Sequence, residues 1–100
     1  MKISKDNMSI ILVISNIRGW TDVCLSSLKR QENIKDLELI FVFNGTNPFY
    51  KKQILNILTP TVQINFDKNI ALPKAFNEAI KKSTRDWVLF LHNDTILPNN

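Results

Sequence analysis

The sequence predicts an α/β fold: an open parallel sheet of four strands alternating with three helices. Three observations predict it. Short, nearly all-apolar runs alternate with segments of about ten residues whose apolar positions recur at helical spacing. Strands that alternate with helices of this length build parallel sheets through right-handed crossovers. The predicted strands also all end in polar residues: Ser15 and Asn16, then Asn44, then Asp67, then His92 to Asp94. Ligands of open α/β sheets bind outside the carboxyl ends of the strands, so four such ends define one ligand edge.

The first strand is Met8 to Ser15, nearly all apolar and so expected to be covered on both faces. Asn16 to Gly19 is a turn. Trp20, Val23, Cys24, Ser27 and Leu28 share helical spacing, which predicts an amphipathic helix over 20–31 with those residues inward. A polar connection, Asn33 to Asp36, leads to a second buried strand, Leu37 to Phe43, closed by Asn44-Gly45. Asn47-Pro48 is a helix start, because Asn caps and Pro fits the first turn without losing a needed N–H. That helix carries Tyr50, Ile54, Ile57 and Leu58 on one face and stops near Thr59-Pro60. Val62, Ile64 and Phe66 alternate with polar residues, so the third strand reads as half-covered and close to an edge. After the loop Asp67 to Ala71, Pro73 opens a third helix with Phe76, Ala79 and Ile80 inward, ending near Ser83-Thr84. Trp87 to Leu91 is a fourth apolar strand, read as buried.

At 100 residues and 44% hydrophobic, the chain holds enough apolar mass for one core. Met1 to Asn7 is too short and polar for a secretory signal and is expected to be a flexible leader to a domain over 8–100. No apolar run approaches the ~20 residues of a membrane-spanning helix. The formal charge of +4 is spread along the chain, and lysines cluster no further than the pairs Lys51-Lys52 and Lys81-Lys82. That pattern favours solvated helix faces over a nucleic-acid stripe, so no nucleic-acid partner is expected. The single cysteine, Cys24, excludes an internal disulfide and falls on the apolar face of the first helix, the place of a core thiol. With two glycines in the chain there is no G-x-G-x-x-G, and there is no G-K-S/T either.

What remains is the edge past the fourth strand, where His92 and Asp94 stand two residues apart. An imidazole and a carboxylate so placed suit a divalent ion or a phosphate. Mg²⁺ or Mn²⁺ is held by one or two protein groups when a diphosphate supplies further oxygens. His92 suits Mn²⁺ better than Mg²⁺, or hydrogen-bonds a sugar hydroxyl, or is a loop histidine with no ligand. Asp94 is a metal ligand or a cap on the turn before Thr95-Ile96.

Four short motifs occur in order. Ser9 to Asn16 resembles an opening strand with a T-Y-N turn, and Leu37 to Thr46 a second strand with a D-[DN]-G-S loop. Asn69 to Ala79 resembles N-x-G-x-x-x-A-x-N-x-G, and Trp87 to Pro98 resembles the segment that carries D-x-D. Together they resemble the N-terminal half of a family 2 glycosyltransferase, an inverting enzyme with the GT-A fold. The resemblance implies a Rossmann-like open sheet in the order 3-2-1-4, and a chain that binds the nucleotide-sugar donor while the acceptor half is absent.

The resemblance also implies roles. Ile14, Ser15, Asn16 and Asn44 would hold the base and ribose. Asp94 would bind the metal, Mn²⁺ or Mg²⁺, on the sugar-nucleotide diphosphate, with His92 and Asn93 beside it. Lys74 would approach the diphosphate from the first turn of the third helix. The implied donor is a UDP- or dTDP-linked sugar, and the implied acceptor a saccharide or a lipid-linked hydroxyl, in polysaccharide or glycolipid assembly. The general base is expected beyond Asn100, which makes the hundred residues alone inactive in transfer. The implied location is the cytoplasm or the inner face of a membrane. A stand-alone nucleotide or nucleotide-sugar binding module without catalysis is the other reading. With nothing after the fourth strand, that strand becomes an exposed edge, through which a homodimer is expected.

Overall fold

A computed structural model describes residues 7–15, 20–31, 34–92 and 96–97. Its elements are β1 (Met8–Ile14), α1 (Trp20–Lys29), a 3-10 turn over Ile34–Asp36, β2 (Glu38–Asn44), α2 (Pro48–Ile57), β3 (Val62–Phe66), α3 (Leu72–Lys82) and β4 (Trp87–Leu91). The strands form one sheet in the order β3-β2-β1-β4, and every adjacent pair is parallel. The architecture is the α/β sheet expected from the alternation.

The connections explain where the helices lie. From β1 to β2 to β3 the chain steps one way across the sheet, and from β3 to β4 it returns past both. Right-handed crossovers in opposite directions put their helices on opposite faces. Residues of α1 and α2 accordingly pack with Ile10, Leu12, Ile14, Leu39, Phe41 and Phe43. On the other face α3 packs with Ile11, Ile40 and Val42 through Ala75 and Ala79. The central strands β1 and β2 are covered on both sides, and this is why they read as unbroken apolar runs. β3 buries one side only, with Gln63 and Asn65 exposed.

α2 shows the face its periodicity suggested, with Tyr50 and Ile54 buried and Ile57 and Leu58 packed against the same core, whereas α1 and α3 are turned from theirs. In α1 the buried stripe is Thr21, Cys24, Leu25 and Leu28, one i, i+3, i+4, i+7 set, with Ser27 beside it. Trp20 and Val23, expected inward, are 61% and 43% exposed on its flank. In α3 the contact with the sheet is made by alanines, which let the helix approach closely, and Ile80 is left 43% exposed. β4 departs from the burial its apolar run suggested and agrees with the exposed edge expected of it. Only Leu91 is buried, while Trp87 and Phe90 are 64% and 44% exposed, because β4 is an edge among the described strands. On the α3 face Phe90 leans on Phe76, ring centroids 4.3 Å apart.

At the amino end of the sheet one charged side chain is buried. Glu38 is 5% exposed. It accepts from Ser9 Oγ at 2.7 Å and from Thr84 N and Oγ1 at 2.9 and 2.6 Å. Among the described residues no helix is long and apolar enough to cross a membrane.

Candidate functional site

The carboxyl ends of β1, β2 and β4 meet the first turn of α3 around a cleft of about 210 Å³. Its polar lining is Ser15, Asn44, Asn69 and His92, and its apolar lining is Val13, Leu72, Phe76 and Leu91. The cleft lies beside the β1–β4 junction, where the order of the sheet reverses, the usual ligand position in this architecture.

Strand alternation decides what β1 contributes. Val13 and Ser15 point to the cleft side, and Ile14 points to the opposite face, where it is fully buried among α1 and α2. Ile14, expected to help hold a base or ribose, therefore offers no side chain to the cleft. Its carbonyl accepts from Thr46 Oγ1 at 2.7 Å, tying the ends of β1 and β2 together.

Asn44 ends β2 and is nearly buried, at 4% exposed. Its Oδ1 accepts from Ile70 N at 2.8 Å, and its Nδ2 donates to Ile70 O at 3.0 Å. The next residue, Gly45, has φ 71°, the left-handed region that favours glycine. Its N–H donates to Phe66 O at 2.9 Å. A Cβ there would lie 2.7 Å from Asn69 N. The loop before α3 thus rests on Gly45 and is held by Asn44, and it carries Asn69 into the cleft.

His92 follows β4 directly and is exposed. Its carbonyl lies 3.7 Å from Cys24 Sγ, which donates to it, linking the end of β4 to α1. Further along, Leu97 N donates to Ser27 Oγ at 3.1 Å. Lys74 stands exposed on the first turn of α3 and is not part of the cleft lining. Asn16, Asn93 and Asp94 lie outside the described residues. Among the described residues no three His, Cys, Asp or Glu side chains come together as a metal cluster.

Of the residues singled out in the sequence, the structure brings Ser15, Asn44 and His92 into one cleft. It adds Asn69, Leu72 and Phe76, which sequence reasoning did not name as site residues. Their signal was present: all three lie in the Asn69–Ala79 stretch that carries one of the four motifs.

A family model described as Glycosyl transferase family 2 matches residues 9–100. Among solved structures, the fold is similar to the crystal structure of S. aureus TarS, with a TM-score of 0.69 and 20% identity. That match covers 88% of this chain and 16% of the other, and at this identity it speaks for the fold alone. No curated protein sequence matches the chain significantly.

Proposed function

The chain belongs to glycosyl transferase family 2, and on that premise we propose that it is the donor-binding portion of an inverting sugar transferase. It holds a nucleoside-diphosphate sugar at the cleft for transfer to an acceptor hydroxyl. The observation that carries this reading is the cleft, where three strand ends and the start of a helix place Ser15, Asn69 and His92 around one opening. Val13, Leu72 and Phe76 give it an apolar wall, suited to the face of a base. Polar groups few in number and fixed on rigid elements are what orient a small ligand.

The donor set suits a divalent ion, Mn²⁺ or Mg²⁺. His92 stands at the cleft and Asp94 follows it two residues on in sequence. An imidazole and one carboxylate leave coordination positions for diphosphate oxygens. Such an ion, when bound, offsets the negative charge that grows on the departing diphosphate. The residues of the chain orient the donor and exclude water from its apolar side. A UDP- or dTDP-linked sugar is the proposed donor, and a saccharide or a lipid-linked hydroxyl the proposed acceptor. The proposed location is the cytoplasm, or the inner face of a membrane for a lipid-linked acceptor.

Calorimetric titration with UDP and with dTDP, each with Mn²⁺, tests the reading. Binding that weakens at least tenfold in Asp94→Ala, and that EDTA reduces to the level of this variant, is the expected result. Equal affinity of the two proteins in Mn²⁺ would sink it.

A further inference from the structure

We propose that Asn44 is a positioning residue: its side-chain amide clamps the loop before α3 by both backbone groups of Ile70, and it does not read the bound base. The inference rests on the donor-binding reading for its meaning, though the clamp itself can be tested without any ligand.

The chemistry fixes the orientation of the amide. Ile70 N can only donate and Ile70 O can only accept. Asn44 Oδ1 must therefore face the first and Nδ2 the second, at 2.8 and 3.0 Å. The side chain is nearly buried, so the groups that would pair with a base are already held by the protein. The neighbouring contacts act on the same loop. Gly45 lets Asn69 sit where a Cβ would collide with its backbone nitrogen. Asn69 Nδ2 lies 3.5 Å from Asn44 O. Two consecutive residues at the end of β2 thus set the height and angle of the loop that forms one wall of the cleft.

The clamp needs an amide. A carboxylate at the same place would still accept from Ile70 N–H, but its second oxygen would face Ile70 O with no proton between them. Asn44→Asp is nearly isosteric and so changes the clamp with little change in volume. A base-reading Asn44 and a loop-holding Asn44 respond differently to this substitution. The first changes which base is preferred. The second leaves the preference alone and weakens every nucleotide together.

The experiment has three arms. In ligand-free protein, amide hydrogen exchange at Ile70 is expected to speed up at least tenfold in Asn44→Asp, while Leu12 and Val42 keep their protection. In wild-type protein, one Asn44 Nδ2 proton is expected to exchange slowly with and without UDP, a measurement that needs no variant. Titration with UDP, CDP and dTDP in Mn²⁺ is expected to show the three weakened by the same factor, about tenfold, in unchanged order. Unchanged exchange at Ile70, a freely exchanging Asn44 side-chain amide, or a changed order of base preference would each overturn the proposal. If wild-type protein binds none of the three nucleotides, the donor-binding reading fails, while the two exchange arms still decide the clamp.

Discussion

Glu38 and Thr84 are joined by two hydrogen bonds, Thr84 N to Oε1 at 2.9 Å and Thr84 Oγ1 to Oε2 at 2.6 Å. They tie the start of β2 to the turn that feeds β4, on the side of the sheet away from the cleft. Ser9 Oγ donates to the same carboxylate, and Ser83 Oγ lies 2.8 Å from Ser9 Oγ. Because the Ser9 proton is directed at Glu38, Ser83 is the donor in that second contact. Arg85 adds a nearby positive charge and reaches Asp36 O at 3.2 Å.

This junction makes stability depend on pH. Burial, the largest influence, pushes the Glu38 carboxyl up. The hydrogen bonds from Thr84 Oγ1, Ser9 Oγ and Thr84 N, with the Arg85 charge, outweigh it and hold the group below its ordinary 4.5. A carboxyl depressed in the folded state adds stability above its unfolded pKa, and that stability is lost as pH falls through the folded pKa. Chemical denaturation from neutral pH down through 4.5 should therefore show wild type losing its advantage over Glu38→Gln as the pH drops. Glu38→Ala leaves buried donors without an acceptor and should cost about 1–3 kcal/mol at neutral pH. A constant gap between wild type and Glu38→Gln across that range would refute the assignment.

Gly45→Ala should destabilise the chain and disturb the cleft together. The left-handed conformation costs an L-residue roughly 1–2 kcal/mol. The added Cβ would also meet Asn69 N at 2.7 Å, a backbone atom with no rotamer to escape into. We expect a loss of stability of about 2 kcal/mol or more in urea unfolding. Altered amide shifts should centre on residues 66–71. A variant as stable as wild type would show that the loop is not seated on this glycine.

Much of this architecture is legible in the amino-acid sequence, and the reasons are physical. β1 and β2 are buried on both faces, so they leave runs such as Ile10 to Ile14 with no polar interruption. β3 is covered on one side and alternates. The faces of the helices are less legible. Trp20 and Val23 are large and apolar, yet they flank the stripe that Thr21, Cys24, Leu25 and Leu28 bury. In α3, closeness to the sheet selects Ala75 and Ala79 over the bulkier Ile80. The cleft is legible in part. Ser15, Asn44 and His92 follow apolar runs and declare themselves as strand ends. The Ile14 side chain points away from the cleft by the alternation of β1. Asn69 enters it through a clamp between residues 25 and 26 positions apart, which no local pattern announces. The Glu38 junction likewise joins β2 to residues 29 and 46 positions away.

Cys24 should behave as a core thiol. It is fully buried in α1, and its Sγ donates to His92 O. Native protein should react with a thiol reagent such as DTNB far more slowly than unfolded protein, with full labelling only in denaturant. Prompt labelling of the native chain would place the thiol at the surface.

The last prediction concerns β4. Trp87 N donates to Asn7 O at 2.8 Å, so Trp87, Leu89 and Leu91 direct their backbone groups toward β1. Backbone direction alternates along a strand, and Val88 and Phe90 therefore direct theirs outward. An antiparallel partner related by a two-fold axis at Leu89 would set Val88 opposite Phe90 of a second copy as a hydrogen-bonded pair. The same register sets Asp86 opposite His92, a polar match at each end of an apolar strand. Charged, bulged or covered edges discourage such pairing, and the five residues of β4 contain no charge, Pro or Gly. The chain of 100 residues, purified as such, is accordingly expected to form a two-fold dimer at tens of micromolar. Leu89 meets its own copy on the axis, where opposed side chains are close. Leu89→Lys should therefore shift the protein to monomer by like-charge repulsion, at some cost in packing against the α1 and α2 core. Light scattering on both proteins decides the matter: a compact wild-type monomer at that concentration, or a dimer that survives Leu89→Lys, rules out pairing through this edge.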